Sequence, residues 1–163
     1  MLILGIDPGS RRTGWGLVRK QGNRTEHIAS STIRLDESAA LPARLLALDR
    51  ALEALLAQHA ADACALEQIF SAKSARSALV LGHARGVIIA AVARRGIPLH
   101  EYTPAEVKQA VVGTGRADKQ QVARMVAVLL NHREPLQEDQ ADALAVAITH
   151  GAAAGMKGRS QRG

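Results

Sequence analysis

Four acidic residues lie among apolar neighbours, where an ordinary surface carboxylate is not expected. Asp7 ends the apolar run L-I-L-G-I-D, and Glu67 lies within A-C-A-L-E-Q-I. Asp139 and Asp142 are three residues apart in a helix-like segment, so they share one helix face. A buried carboxylate is unfavourable unless it is paired, hydrogen-bonded or bound to a metal ion. The four residues are therefore candidates for one shared site.

Convergence of these carboxylates would create a site for hard divalent cations. Carboxylates that share a site raise one another's pKa, and a cation relieves the repulsion. Oxygen-only ligands select Mg²⁺ or Mn²⁺ rather than zinc. Two such ions about 4 Å apart can activate a water and stabilise the leaving oxygen of a phosphodiester. The alternative is that each acid pairs separately with one of the many arginines, and spacing alone leaves both interpretations open.

The charge balance favours a polyanionic partner. The chain of 163 residues has 21 Lys and Arg against 15 Asp and Glu, a net charge of +6. Residues 71–124 hold nine basic side chains and three acidic ones, so the imbalance is uneven. A positive field attracts polyanions such as nucleic acid and speeds their encounter. A soluble surface that is merely basic is the alternative, and charge alone does not exclude it.

Composition narrows the class of protein. The length is that of one ordinary domain. The sequence contains no run of 18 apolar residues, so it predicts no membrane span, and Met1 is not followed by a signal-peptide pattern. The single cysteine, Cys64, excludes an internal disulfide framework and a cysteine-built zinc site, and we expect it in the core. These features predict a cytoplasmic protein without membrane contact.

The elements that must position the four acids follow from hydrophobic periodicity. Apolar runs and alternation predict strands over 2–7, 14–20, 27–35, 63–69 and 98–102. Helical spacing and capping signals predict helices over 41–59, 74–95, from 103, over 118–131 and over 138–153. Strands linked through helices are usually parallel. The pattern therefore predicts an α/β fold with a five-stranded mixed sheet and helices on both faces.

This topology offers a way to bring the acids together. If the first and fourth strands are neighbours, Asp7 and Glu67 meet, and the last helix can add Asp139 and Asp142. We predict a single domain over residues 1–155 and a basic, disordered tail over 156–163. His150 is expected near a helix C-terminus.

Five blocks of sequence, in this order, resemble the RuvC family of Holliday-junction endonucleases. They are G-I-D-P-G-S-R-R-T-G-W-G at 5–16, L-E-Q-I-F at 66–70, K-S-A-R-S-A-L-V-L-G-H-A-R-G at 73–86, V-K-Q-A-V-V-G-T-G-R-A-D-K-Q-Q-V at 107–122 and D-Q-A-D-A-L-A-V-A-I-T-H at 139–150. The resemblance extends from about residue 2 to 150. It implies a ribonuclease-H-like fold, a homodimer and Mg²⁺-dependent incision of two opposed strands of a four-way DNA junction. It also implies a place in recombination and repair beside a branch-migration motor.

The resemblance also implies roles for individual residues. Asp7, Glu67, Asp139 and Asp142 match the metal-binding carboxylates, with two Mg²⁺ per subunit expected and Mn²⁺ as the alternative ion. Two lysines match basic residues that the family uses on DNA near the scissile phosphate, where they position the backbone or stabilise developing charge. These are Lys108 and Lys119.

One aromatic residue has a predicted role on DNA. Phe70 matches an exposed aromatic that stacks on junction bases, and base–aromatic stacking contributes roughly 1–3 kcal/mol. The alternative for Phe70 is an ordinary core ring, whereas Trp15 and Tyr102 are expected to be packing residues. Further candidate contacts with DNA phosphates are polar or basic residues that flank the motifs. They are Ser10, Arg11, Arg12, Lys73, Arg76 and Arg116.

Two other functions remain open from the sequence. D-P-G-S-R-R-T-G also resembles the first phosphate loop of actin-like and sugar-kinase ATPases, although those proteins need two such domains around a nucleotide. A non-catalytic junction-binding module could use the same basic surface, although it gains nothing from buried carboxylates. For the implied homodimer, the nearly all-apolar helix segment 87–93 is the candidate contact.

Overall fold

The strands form one mixed sheet. They are β1 (Leu2–Asp7), β2 (Arg12–Gln21), β3 (Arg24–Arg34), β4 (Ala63–Glu67) and β5 (Leu99–Tyr102). The computed structural model describes residues 1–68 and 74–160, with side chains described up to residue 155. The strand order is β3-β2-β1-β4-β5, in which β1, β2 and β3 pair antiparallel while β4 pairs parallel with β1 and with β5. The predicted α/β class and mixed sheet are therefore confirmed.

Helices cover both faces of the sheet, as predicted. They are α1 (Leu41–Gln58), α2 (Ala75–Arg94), α3 (Pro104–Val112), α4 (Lys119–Leu129) and α5 (Glu138–Ser160). One apolar core lies under α1 and α2 and includes Leu4, Ile6 and Cys64. The other lies under α3, α4 and α5 and includes Ile3 and Ala65. Alternate residues of β1 and β4 thus face opposite cores, because side chains alternate along a strand.

The last helix approaches the sheet closely because two strand residues have no side chain. A Cβ at Gly5 would lie 2.0 Å from the carbonyl oxygen of Ala143, and a Cβ at Gly14 would lie 2.0 Å from that of Asp139. Real Cβ atoms do not approach carbonyl oxygens so closely. Glycine at these positions is what lets α5 lie directly on β1 and β2.

Two acidic residues outside the candidate site, Glu106 and Asp118, form capping boxes at the predicted starts of α3 and α4. Thr103 caps α3, and its backbone N–H donates to Glu106 in a reciprocal capping box. Asp118 caps α4 in the same way with Gln121. Each box satisfies two backbone donors that the first turn of a helix leaves free.

The end of α5 differs from the prediction. The backbone helix continues to Ser160, beyond the predicted end at 153. The alanine-rich run over 152–154 has high helix propensity, and no proline stops it. His150 therefore lies inside the helix and not near its C-terminus, so that prediction was wrong.

His150 is buried and belongs to a small aromatic cluster. Its Nδ1 lies 2.7 Å from the hydroxyl of Tyr102, and its ring stacks on that of His100 with 4.3 Å between centroids. Tyr102 packs partly against the core under α5, as predicted, and also carries this hydrogen bond. Trp15 packs against the opposite core.

The composition of α2 is unusual for a surface helix. By length and composition alone α2 could cross a membrane, since its apolar window has a mean hydropathy of 1.4, although the sequence has no unbroken apolar run. Its buried residues Ala84, Ile88 and Val92 pack in the core under α1 and α2, as in a core helix. Only 22% of that window is buried, so much of its apolar surface is exposed in the single subunit.

Candidate active site

The register of the two central strands brings the first two predicted acids together. β1 and β4 are parallel, with Ile6 opposite Leu66, so Asp7 and Glu67 follow at the same end of neighbouring strands. Ile6 and Leu66 face the core under α1 and α2, and alternation therefore turns Asp7 and Glu67 toward α5. The first and fourth strands are therefore neighbours, which is the condition under which Asp7 and Glu67 were expected to meet.

The first turns of α5 bring the other two acids to this end of the sheet. Gly14 is the partner of Asp7 across β1 and β2, and the backbone of Asp139 lies against Gly14. Asp142 is one helical turn further along and faces the same cleft as Asp7. The position of both aspartates thus depends on the close approach of α5 to the sheet.

The acids line a cleft of about 360 Å³. Its charged lining consists of Asp7, Glu67, Asp142, Lys108 and Lys119. Uncharged residues complete the walls, namely Pro8, Gln68, Leu81, Pro104, Val107, Val122 and Ala145. Asp139 is half-buried and is not among the lining residues. Three of the four predicted carboxylates therefore share the cleft, and the fourth lies beside it.

Burial and mutual repulsion raise the pKa values of the carboxylates in this cleft. Burial, together with the charges of Asp142 and Glu67, raises the pKa of Asp7 to about 8, against the opposing effect of Lys119. Burial first, and then Asp142, raises the pKa of Glu67, whereas Lys119 and Lys108 lower it. Burial also raises the pKa of Asp142. Such a cluster favours the binding of cations.

Lys119 is one of two lysines that line the cleft, and it forms ion pairs there. Its Nζ lies 3.4 Å from Oδ2 of Asp142 and 2.8 Å from Oε1 of Glu138. The hydrogen bond to Glu138 is the main reason why the pKa of Lys119 is raised. Within residues 1–68 and 74–155, no arginine pairs with the four candidate carboxylates. Separate pairing of each acid with an arginine is therefore not what the structure shows.

The donor chemistry of the cleft suits a hard divalent ion. Its acidic ligands are all carboxylates, the donors that Mg²⁺ and Mn²⁺ prefer. In their present conformations, no three Asp, Glu, His or Cys side chains of the described residues are placed to hold one ion.

The structure separates the predicted DNA-contacting residues into groups. Lys108 and Lys119 line the cleft, as described above. Arg11 forms an ion pair of 3.1 Å with Glu37 and does not line the cleft. The remaining described candidates are partly or fully exposed and also do not line it; they are Ser10, Arg12, Arg76 and Arg116. Phe70 and Lys73 lie outside the described residues.

The sequence analysis did not identify two charged residues of this site, Glu138 and Arg85. Glu138 binds Lys119 across 19 positions of the chain, and no local pattern signals such a pair. Arg85 donates to the backbone carbonyl of Glu67. A lone arginine in the apolar helix segment V-L-G-H-A-R-G-V-I-I was the available signal, because a charge there needs a partner.

Comparison with known proteins decides the family. The sequence profile described as crossover junction endodeoxyribonuclease RuvC matches residues 3–150. The chain belongs to the RuvC family. It is 51% identical over 155 residues to the RuvC protein of Sorangium cellulosum, covering 95% of this chain and 87% of that one. It is 52% identical over 156 residues to the RuvC protein of a Geobacter species, covering 96% and 95%.

Solved RuvC structures share the fold. Thermus thermophilus RuvC is 30% identical, covers 96% of this chain with 97% of its own, and superposes with a TM-score of 0.88. The same protein in complex with a Holliday junction substrate gives a TM-score of 0.91 at 31% identity, with 96% of each chain covered. The predicted ribonuclease-H-like fold and the resemblance to RuvC are thereby confirmed.

Proposed function

We propose that this RuvC-family chain is a structure-specific endonuclease that resolves four-way (Holliday) DNA junctions by two symmetric nicks. The observation that carries the proposal is the shared cleft, in which Asp7, Glu67 and Asp142 lie beside Lys108 and Lys119. Carboxylates that repel one another and lysines that attract phosphate are the two parts that phosphodiester hydrolysis needs. The Thermus thermophilus relative, whose structure includes a Holliday junction substrate, supports the choice of DNA.

The resident cofactor proposed for the cleft is Mg²⁺, two ions per subunit, with Mn²⁺ as a substitute. Asp7, Glu67 and Asp142 would hold the ions, and Asp139 would join them from the edge of the cleft. When bound, such ions supply a nucleophilic water and stabilise the leaving oxygen. A bound ion would offset the charge repulsion that, after burial, raises the pKa of Asp7.

The two lysines have separate tasks in this proposal. Lys119 is largely exposed, with 70% of its side-chain surface accessible, so its ammonium can reach a phosphate when it leaves Asp142. Lys108 is half-buried on α3 and faces Glu67 closely enough to lower the pKa of that carboxyl. Lys108 therefore positions the backbone, and Lys119 stabilises charge that develops on the scissile phosphate.

A homodimer is the second part of the proposal. A two-fold axis would present two clefts to a junction that itself has near two-fold symmetry. Within the predicted contact segment 87–93, Ile88 and Val92 are buried in the subunit's own core. The exposed side of α2 that remains includes Leu79, of which 66% is accessible, and Ala90. We place the dimer contact on this side of α2.

We also propose that the protein is cytoplasmic and that it works with a branch-migration motor.

One incubation tests the activity. Purified protein is mixed with Mg²⁺ and either a labelled four-way junction or a linear duplex of the same sequence. We expect paired, symmetric nicks in the junction alone, and their loss in Asp7→Asn with junction binding retained. Equal cutting of both DNAs would contradict the specificity for junctions. Binding without cutting would indicate the non-catalytic module, and hydrolysis of ATP in a parallel incubation, without DNA cutting, would indicate the ATPase.

A further inference from the structure

Arg85 connects α2 to the end of β4 that carries Glu67. Its Nη1 donates to the backbone carbonyl of Glu67 at 2.7 Å, and its Nη2 forms an ion pair with Oε1 of Glu101 on β5. Only 15% of the Arg85 side chain is accessible, against 50% for Arg94 on the same helix. A guanidinium donates in two directions from one rigid plane, so one side chain serves both partners.

The contact lies at the end of β4, where Glu67 is the strand partner of Tyr102 on β5. Glu67 is the last residue of β4, and the following residue, Gln68, donates its N–H to the carbonyl of Tyr102 at 2.8 Å. Leu66 is opposite Glu101 in the register of β4 and β5. Arg85 therefore joins the terminal carbonyl of one strand to the side chain of its neighbour, and it does so from a third element.

The arginine pairs at the C-terminal end of α2, made by Arg94 and the next residue, Arg95, give a comparison. Arg94 pairs with Asp49 and Glu53, and Arg95 pairs with Glu53, all on α1 and none in the cleft. Those contacts hold two helices together. The contact of Arg85 instead goes to the backbone of a residue whose carboxylate lines the cleft. A shift of that backbone moves the carboxylate, since the two are separated only by the glutamate side chain.

We propose that Arg85, oriented by Glu101, is a positioning residue that fixes the backbone of Glu67 and thereby sets the affinity of the cleft for its divalent ion. The inference rests on the proposed role of Glu67 as a metal ligand. Groups that orient metal ligands through hydrogen bonds change metal affinity or activity by roughly 10–100-fold when removed. Arg85 thus acts on metal affinity and on the backbone at the end of β4, and not through contact with DNA.

The test compares Arg85→Met with Arg94→Met, which removes a paired arginine from the same helix away from the cleft. We expect Arg85→Met to raise the Mg²⁺ concentration for half-maximal junction cleavage about tenfold or more, with junction binding in EDTA unchanged. In the metal-free protein, hydrogen exchange at the amide of Gln68 should become faster. Arg94→Met should leave both quantities at the wild-type value.

Two further variants keep the test decisive. Arg85→Lys can donate to the Glu67 carbonyl but cannot serve both partners in one plane, so it should restore part of the Mg²⁺ affinity. Glu101→Gln keeps the guanidinium of Arg85 and removes its ion pair, so it should raise the Mg²⁺ concentration for half-maximal cleavage by less than Arg85→Met does. This variant tests the inference even if Arg85→Met does not fold. An unchanged Mg²⁺ dependence in Glu101→Gln and Arg85→Lys would overturn the inference. A wild-type protein that does not cleave junctions with Mg²⁺ would instead overturn the proposed function.

Discussion

The backbone of Asp139 lies against Gly14, so close that a Cβ on Gly14 would come within 2.0 Å of the Asp139 carbonyl oxygen. Gly14 is also the strand partner of Asp7. Gly14 on β2, together with Gly5 on β1, therefore lets the helix that carries two of the acids lie close to the strand that carries Asp7. The absence of a side chain at residue 14 is part of how the active-site cleft is built.

Gly14→Ala should consequently damage both stability and activity. The added methyl group must push α5 away from β2, and overpacking of this kind typically costs about 1–3 kcal/mol. Thermal unfolding and junction cleavage measure the two effects. Gly155→Ala is the matched control on α5, because nothing lies within 4 Å of its Cβ position and alanine favours a helix. Cleavage by Gly14→Ala at the wild-type rate would contradict this account of the site.

The raised pKa of Asp7 predicts a pH-dependent stability of the metal-free protein. Its pKa is 3.8 in an unfolded chain and about 8 in the fold, so between these values the folded state keeps a proton that the unfolded state has lost. Stability should therefore fall as pH rises from about 4 to about 8, by at most about 1.4 kcal/mol per pH unit from this group. Urea unfolding in EDTA measures the slope.

Asp7→Asn should reduce that slope and raise stability near neutral pH. Part of the slope remains, since the pKa values of Glu67 and Asp142 are raised as well. Glu37→Gln serves as the control, because Glu37 is exposed and lies in an ion pair with Arg11. A slope in Asp7→Asn equal to that of the wild-type protein would argue against a buried, repelled Asp7.

Loss of the ammonium of Lys119 should affect catalysis more than folding. Lys119→Met removes the counter-charge of Asp142 and the proposed charge stabilisation at the phosphate, for which a loss of about 100-fold or more in the cleavage rate is expected. Single-turnover cleavage at saturating protein measures it. Lys20→Met is the control, since Lys20 bonds Asn23 and Thr25 at the β2–β3 turn. Equal rates for the two variants would refute the role given to Lys119.

The exposed side of α2 gives a prediction about assembly. Leu79→Glu places a charge on the proposed dimer contact, and the desolvation of that charge should disfavour association. We expect a monomer in analytical ultracentrifugation and loss of paired incision of the two junction strands. Leu46→Glu, at another exposed leucine with 49% accessibility, should leave the dimer intact. A dimeric Leu79→Glu protein would place the contact elsewhere.

Phe70 lies outside the described residues, and its role stays a prediction from the sequence. If its ring stacks on opened junction bases, Phe70→Ala should leave folding and junction binding nearly intact while cleavage falls, with about 1–3 kcal/mol of stacking lost. Melting temperature, binding and cleavage are measured on the same preparation. A large fall in the melting temperature would assign Phe70 to the core instead.

The elements could be predicted from the sequence because their signals are local. Short apolar runs identified β1 and β4, and the pairs Thr103–Glu106 and Asp118–Gln121 identified the starts of α3 and α4. The same apolar runs singled out Asp7 and Glu67, since a charge in an apolar strand needs a partner. The sequence itself thus identified the candidate carboxylates, and the resemblance to the RuvC family added the two lysines.

Only the tertiary structure decided which groups meet. The pairs Lys119–Glu138 and Arg85–Glu67 join residues 19 and 18 positions apart, and the absence of Asp139 from the lining depends on how α5 lies on the sheet. Contacts of this kind follow from strand order and helix packing, which the local periodicity of a segment does not specify. Local sequence therefore determined which residues are available for chemistry. Long-range packing determined their partners and, through burial and neighbouring charges, their pKa values.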